Sequence, residues 1–349
     1  MSRQRFILIV IAAVLAISGA LYLSTQRNLP RDSSGTLLLP YLANELSTVT
    51  AVELRKGSAN PTLTLHQQGD RWTVAQRGDY PADVSKLRKL LLALSDARIV
   101  EEKTSNPASY PLIGVDDPAS PGSTGVEVSF AARDGKHAVI IGKPVGAGNF
   151  ARRAGEKTSY SVEPAISFEA EPRYWIESKL IDIAAADIQS IAVKPAAGSA
   201  YSVHRAAAGG NFELDGVPPG RKAADAAALA PSSSTYEHLD AEDVGPAVDI
   251  DFAKATVVTV SLFGGNVITI TGTVVGDKHW IALQAGKDPA LAAKAAGRAF
   301  ELSGYRYDAA FRPLEQLLVP KPPPAAAKPA GSKPAAAKPT QKPVPTPKP

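Results

Sequence analysis

Residues 71–94 read RWTVAQRGDYPADVSKLRKLLLAL, and the change of period inside them decides the fold. Trp72 to Ala75 follows a Gly69-Asp70 turn and reads as a strand. From Val84 onward, Val84, Leu87, Leu91 and Leu94 recur at spacings of three and four, with Leu90 beside them. That is the spacing of an amphipathic helix. Asp83 is placed to cap it, Pro81 suits its approach, and Lys86, Arg88 and Lys89 take the solvent face. A short strand followed directly by a helix points to an α+β unit.

Working outward, Thr50–Leu54 and Thr62–His66 alternate apolar and polar residues and read as strands. Beyond the helix, Ile99–Glu101 reads as a strand and Asn106–Pro118 as a loop. Val126–Phe130 and Ala138–Ile141 form a hairpin through Arg133-Asp134-Gly135, and Phe150–Arg153 and Tyr160–Val162 are further strands. Pro172–Leu180 reads as a short helix carrying Tyr174, Trp175 and Ile176.

The second half repeats this pattern. Ile188, Ile191 and Val193 match Val49, Val52 and Leu54; Tyr201–His204 matches Leu63–His66; Phe212–Leu214 matches Trp72–Val74. Lys222–Ala230 falls where the helix was, and Val258–Leu262 matches Val126–Phe130. Ile268 and Ile270 follow a Gly264-Gly265-Asn266 turn, with Gly272 in the place of Gly142 and Trp280 near that of Phe150. Asp288–Gly297 reads as a helical insertion, and Phe300–Leu302 precedes a last helix, Tyr305–Leu318. The expectation is α+β: two tandem similar repeats, residues 45–180 and 181–319, with mainly antiparallel sheets.

The flanks differ in kind. Phe6–Leu23 is an uncharged apolar run of 18 residues behind Arg3 and Arg5. It reads as a single-pass transmembrane anchor over residues 1–27, N-terminus cytoplasmic and body exported. Ser18-Gly19-Ala20 also offers a signal-cleavage pattern, with the cut after Ala20; either way the body leaves the cytoplasm. Residues 28–44 read as a linker, with Leu37–Leu46 apolar enough to pack on the body. Residues 320–349 form a Pro/Lys/Ala tail with eleven prolines, six lysines and no acid. Such a segment cannot bury apolar surface and is expected to be disordered or extended, with a reach of roughly 90 Å as polyproline II.

The formal charge of +4 is carried by this tail, leaving 4 − 6 = −2 on the rest. A nucleic-acid surface on the folded part is therefore not expected. With no cysteine in 349 residues, disulfides, thiolate metal sites and a cysteine nucleophile are excluded, as is a lipoprotein.

Residues with chemical potential read as structural. His66, His137, His204, His238 and His279 show no HExxH spacing, and His66 and His204 occupy equivalent repeat positions. Glu101-Glu102 on a strand point to opposite faces, Asp116-Asp117-Pro118 suits a turn, and Asp249-Ile250-Asp251 is a common short pattern. Gly142-Lys143, Gly146 and Gly148 complete no phosphate loop, and Trp72, Trp175 and Trp280 read as core anchors. No catalytic, cofactor-binding or metal-ligating residue is assigned, and no cofactor is expected.

A run of motifs carries a family resemblance: Tyr80-Pro81-Ala82-Asp83 before Leu90-Leu91, Glu101-Glu102-Lys103-Thr104-Ser105-Asn106-Pro107, Leu112-Ile113-Gly114-Val115-Asp116-Asp117-Pro118, and Ile141-Gly142-Lys143. Together these resemble the bacterial domain-of-unknown-function family 4340, over roughly residues 45 to 180 and more weakly in the second repeat. The resemblance implies one N-terminal transmembrane helix, a large extracytoplasmic part, and genes beside gliding-motility-type ABC transporter components. It implies no catalytic residues. The long Lys-Pro tail departs from the family pattern.

The expected function is a non-enzymatic accessory or scaffold subunit of an ABC-type transport complex. The protein would sit at the bacterial inner membrane with its body in the periplasm, partnered by permease or ATPase subunits. The alternative is a protein binding or tethering an envelope polymer (peptidoglycan or polysaccharide) through the lysine tail. A hydrolase with an unrecognised site is the third class.

Overall fold

The computed structural model describes residues 35–133 and 135–320. The apolar run Phe6–Leu23, all but the first residue of the Pro/Lys/Ala tail, and Asp134 of the expected hairpin turn lie outside the described residues. Among the described residues, no helix is long and apolar enough to cross a membrane.

The protein is α+β with antiparallel sheets. After α1 (Leu42–Glu45), the first unit runs β1 (Ala51–Lys56), β2 (Leu63–Gln68), β3 (Arg71–Val74), β4 (Tyr80–Pro81), α2 (Val84–Asp96), β5 (Arg98–Thr104) and α3 (Tyr110–Ile113). It continues with β6 (Val126–Ala132), β7 (Gly135–Val145), β8 (Gly148–Arg153) and β9 (Ser159–Glu163). The second unit follows with β10 (Lys179–Ile181), β11 (Ile188–Lys194), β12 (Tyr201–His204), β13 (Glu213–Asp215), α4 (Ala226–Leu229), α5 (Pro231–Ser234), β14 (Leu239–Asp240) and β15 (Asp243–Pro246). It closes with β16 (Thr256–Leu262), β17 (Val267–Val275), β18 (Lys278–Gln284), α6 (Pro289–Ala295), β19 (Arg298–Leu302) and α7 (Gly304–Ala310).

The two large sheets share one strand order. The first is β4-β3-β2-β1-β6-β7-β8-β9-β5 and the second β13-β12-β11-β16-β17-β18-β19-β15, identical but for the extra edge strand β4. The registers agree as well: Val52 pairs with Phe130 and Leu54 with Val128, as Ile191 pairs with Val260 and Val193 with Val258. These inward residues are buried, because alternate strand positions face the core. One contiguous apolar core runs through both units.

The helix forms where its period places it. Leu87, Leu90, Leu91 and Leu94 are buried, and Asp83 accepts from the backbone N–H groups of Ser85 and Lys86 at 3.0 and 3.2 Å. Asp83→Ala should cost about 1 kcal/mol in urea denaturation; an unchanged midpoint would mean the cap is not formed in solution. Val84, expected on the apolar face, is exposed.

Several expected boundaries move. The helix expected over Pro172–Leu180 is a single 3-10 turn, Pro172–Trp175, followed by β10. Its chain is drawn straight by tertiary bonds: Asp83 N–H donates to the Trp175 carbonyl at 2.7 Å, and Glu177 N–H to that of Pro81 at 2.8 Å. The helix expected over Lys222–Ala230 shrinks to α4, since Ala224 N–H bonds to the Leu317 carbonyl and Pro231 starts a new turn. The last helix, Tyr305–Leu318, stops at Ala310; Pro313 lacks the N–H to continue it, and Leu314–Leu317 form one 3-10 turn. The loop Asn106–Pro118 contains α3.

The expected linker over 28–44 ends in packed structure. Leu38, Leu39 and Leu42 are fully buried, and Thr36 and Leu38 bond to Ile99 and Ala97. The second unit copies this, with β10 pairing to β14 just before its β15. By ladder register Gly272 holds the place of Ile141 rather than Gly142, pairing with Thr256 as Ile141 pairs with Val126. A Cβ there would lie 2.2 Å from the Phe311 ring, which excludes any larger residue.

Candidate functional site

Two recesses flank Trp72 and together make an extended concave surface. The larger, about 750 Å³, lies between the units. Its first wall is the β3–β4 edge, with Asp70, Arg71, Trp72 and Asp79; its second is α6 and the start of β19, with Ala290, Ala293, Lys294 and Arg298. The smaller, about 430 Å³, lies beside α2 and is mostly apolar: Leu46, Val49, Val84, Leu87, Leu91 and Leu92. Trp72 and Val84 border both. Trp72 is half-buried: it packs against the core, as expected, and also forms the partition between the two recesses. Trp175, by contrast, is 1% exposed, and Trp280 is half-buried.

The larger recess sits over a polar junction that holds the units together. Arg77 Nε and Nη2 donate to the two carboxylate oxygens of Asp243 at 2.5 and 2.9 Å. Arg298 donates to the Gly78 carbonyl at 2.9 Å and lies 5.6 Å over the Tyr80 ring. Lys294 pairs with Glu177 at 2.8 Å and donates to the Lys179 carbonyl at 3.0 Å. Beneath them the Tyr80 ring meets Phe300 edge-on at 5.8 Å. Burial pushes the Tyr80 hydroxyl pKa well up, Glu177 adds to the rise and Arg298 opposes it. The hydroxyl is therefore neutral, and it has no hydrogen-bond partner among the described residues.

The arrangement suits recognition. Three acids (Asp70, Asp79, Glu177) and three bases (Arg71, Lys294, Arg298) line the larger recess, so it presents hydrogen-bonding groups of both signs around an apolar partition.

The residues singled out in the sequence do not converge on it as a reacting centre. His66 lies behind the lining residues Gln68, Thr73 and Asp79, which all approach its Nε2, at 2.8, 3.3 and 3.3 Å. A relay would need the carboxylate on one ring nitrogen and a hydroxyl on the other. His204, opposite Glu213 in the ladder as His66 is opposite Thr73, has Asp215 3.1 Å from Nδ1 without hydrogen-bond geometry. His137 stacks on Tyr41, His279 packs on Tyr307, and His238 lies exposed 3.5 Å from Asp182.

The carboxylate pairs are dispersed. Asp117 accepts from Ala119 N–H and Asp251 from Ala253 N–H, as turn residues do. Glu101 and Glu102 lie exposed on β5, Glu101 against Lys103. Lys143 donates to the Leu112 carbonyl at 3.0 Å, and Gly146 makes the β7–β8 turn at φ 59°. Among the described residues, no group of three or more His, Asp or Glu is arranged to hold a metal ion. Arg77, Asp243 and Arg298 carry no local signal in the sequence; the one local signal is the aromatic Trp72 within β3.

A family described as a domain of unknown function, DUF4340, matches residues 72–256, more than half of the chain. The match runs from β3 of the first unit to the start of β16 of the second. No curated protein and no solved structure matches.

Proposed function

The chain belongs to the DUF4340 family of domains of unknown function, and from that premise we propose that it is a non-enzymatic, membrane-anchored accessory protein. In this reading Phe6–Leu23 holds it in the bacterial inner membrane, and the body, a duplicated α+β unit, faces the periplasm. Its groove receives a segment of a membrane complex of the ABC transporter type. The observation that carries the reading is the recess between the units, where Trp72 separates a mixed-charge cleft from an apolar one. A partner segment with an apolar anchor and polar flanks matches that division.

The test is crosslinking of the full chain in intact cells, followed by identification of what co-purifies from the membrane fraction. Permease or ATPase subunits are expected with the native chain. They should be depleted about tenfold or more with Trp72→Ala, since an aromatic interface anchor is worth roughly 2 kcal/mol or more. Recovery of no ABC-type membrane partner would count decisively against the reading.

The six lysines of the tail favour a second reading, attachment to an anionic envelope polymer. Deleting residues 320–349 would then abolish co-sedimentation with isolated cell wall; unchanged sedimentation would remove its basis.

A further inference from the structure

The two units meet head to tail. The first contributes β4 and the turn before it, with Tyr80 and Arg77; the second contributes a different surface, the β15–β19 edge, with Asp243 and Phe300. A contact between unlike surfaces leaves one counterpart of each unused at the two ends of the pair.

The ladders locate these counterparts residue by residue. Across the first sheet, Ile141 pairs with Ala151, Ala151 with Tyr160, and Tyr160 with Glu102. Across the second, Gly272 pairs with Ile281, Ile281 with Phe300, and Phe300 with Val244. One position along, Glu101 faces Ser161 where Asp243 faces Glu301. Glu101 thus holds the place of Asp243, and Tyr160 that of Phe300.

On the opposite surface the bridge Ala82–Ile176 recurs as Ala223–Leu318. The bond from Glu177 N–H to the Pro81 carbonyl recurs from Val319 to Lys222. Lys222 therefore holds the place of Pro81, and Arg221 that of Tyr80.

The same offset places Pro218 where Arg77 stands, so the ion pair itself is not repeated, but the sign of charge on each side is. Within the chain the cation, Arg77, comes from the β4 side and the anion, Asp243, from the β15 side. At the ends the β4-like side carries Arg221 and Lys222, and the β15-like side carries Glu101 and Glu102. Glu101, Glu102 and Lys222 are exposed. Glu101 pairs with its neighbour Lys103, a surface pair that is weak and exchangeable. The Arg221 side chain is 11% exposed and bound to Glu315 at 2.8 Å, so among the described residues Lys222 is the free cation of that edge and Arg221 stands behind it. Among the described residues, the leading segment bonds at the start of β5, through Thr36 and Leu38, just as β10 stops short of Asp243.

We propose that a second copy of this chain docks its Arg221–Lys222 edge on the Glu101–Glu102 edge, in the same head-to-tail sense as the contact that joins the units within one. The contact is head to tail, so it generates rings or filaments, and its charged character makes it salt-sensitive.

The full chain in detergent is measured by sedimentation velocity at low and high salt. Alongside, carbodiimide crosslinking of a mixture of light and heavy isotopic forms is read by mass spectrometry. Concentration-dependent association at low salt is expected, with crosslinks from Glu101 or Glu102 of one isotopic form to Lys222 of the other. The double reversal Glu101→Lys with Glu102→Lys, and separately Arg221→Glu with Lys222→Glu, should each weaken self-association roughly tenfold or more. Mixing the two reversed proteins should restore it, because every contact is again between opposite charges. Lys222→Glu alone, at an exposed position, serves if the double variant at 221 and 222 does not fold. A chain that stays monomeric at low salt, or association that neither reversal changes, overturns the proposal.

Discussion

Trp175→Ala is expected to destabilise the protein by about 3–5 kcal/mol, as truncation of a large buried aromatic does. The side chain is 1% exposed, and its indole N–H donates to the Glu169 carbonyl at 2.6 Å. Alanine removes both the packing and the donor, so the Glu169 carbonyl loses its partner along with the volume. The main-chain carbonyl of residue 175 still accepts from Asp83 N–H, so the loss reads the side chain and leaves the bridge between the 3-10 turn and α2 in place. Tyr174 supplies the control. Its ring meets Trp175 edge-on at 5.4 Å and lies under the Lys86 ammonium at 4.5 Å, but it is 38% exposed. Tyr174→Ala should cost less than about 1.5 kcal/mol. Urea denaturation with a common slope distinguishes the two. Equal losses at 174 and 175 would show that Trp175 does not anchor the core.

Asp243→Asn should cost about 2–3 kcal/mol and loosen the two units from one another. The Asp243 side chain is 13% exposed and that of Arg77 is 23% exposed, so the pair lies between a surface ion pair and a fully buried one. Surface pairs contribute about 0–1 kcal/mol, and removing one partner of a buried pair costs about 3–5 kcal/mol. Asparagine keeps the shape but meets the guanidinium fork with one acceptor oxygen where the carboxylate has two. The distinguishing readout is cooperativity. Trp72 and Trp175 report the first unit and Trp280 the second. In the native chain their fluorescence changes should coincide in urea, because one core runs through both units. In Asp243→Asn the transitions should separate. A cycle with Arg77→Ala tests the assignment: the double variant should be little worse than Asp243→Ala alone. Fully additive losses would show that the two side chains act independently.

The sequence carried the strands and the first helix, because alternation and the three-four spacing are local properties of neighbouring side chains. Val52 and Leu54 alternate with Glu53, and Leu87, Leu91 and Leu94 follow a helical stripe; each lies buried as its period requires. The repetition of the pattern in the second half was legible for the same reason, and the shared strand order follows from it. The short elements were not legible. β4 has two residues and β14 has two, too few to show any period, and they exist through bonds such as Ala82 N–H to the Trp72 carbonyl. The overestimated helices fail on the same ground: Pro313 is a local stop, but the straightening of residues 222–224 comes from Leu317 and Val319, about a hundred positions away.

The groove belongs wholly to the second kind of information. Arg77 and Asp243 are 166 positions apart, and no spacing rule connects them. Nor does composition distinguish Trp72, bordering two recesses, from Trp175 in the core, since both sit among apolar neighbours in the chain. Periodicity states which face of an element is apolar and therefore buried. Which buried face meets which, and where two packed units leave a cleft between them, depends on the shapes of both units at once. Close packing of those shapes selects the junction, with charge pairing to lock it, and neither is a property of any one segment.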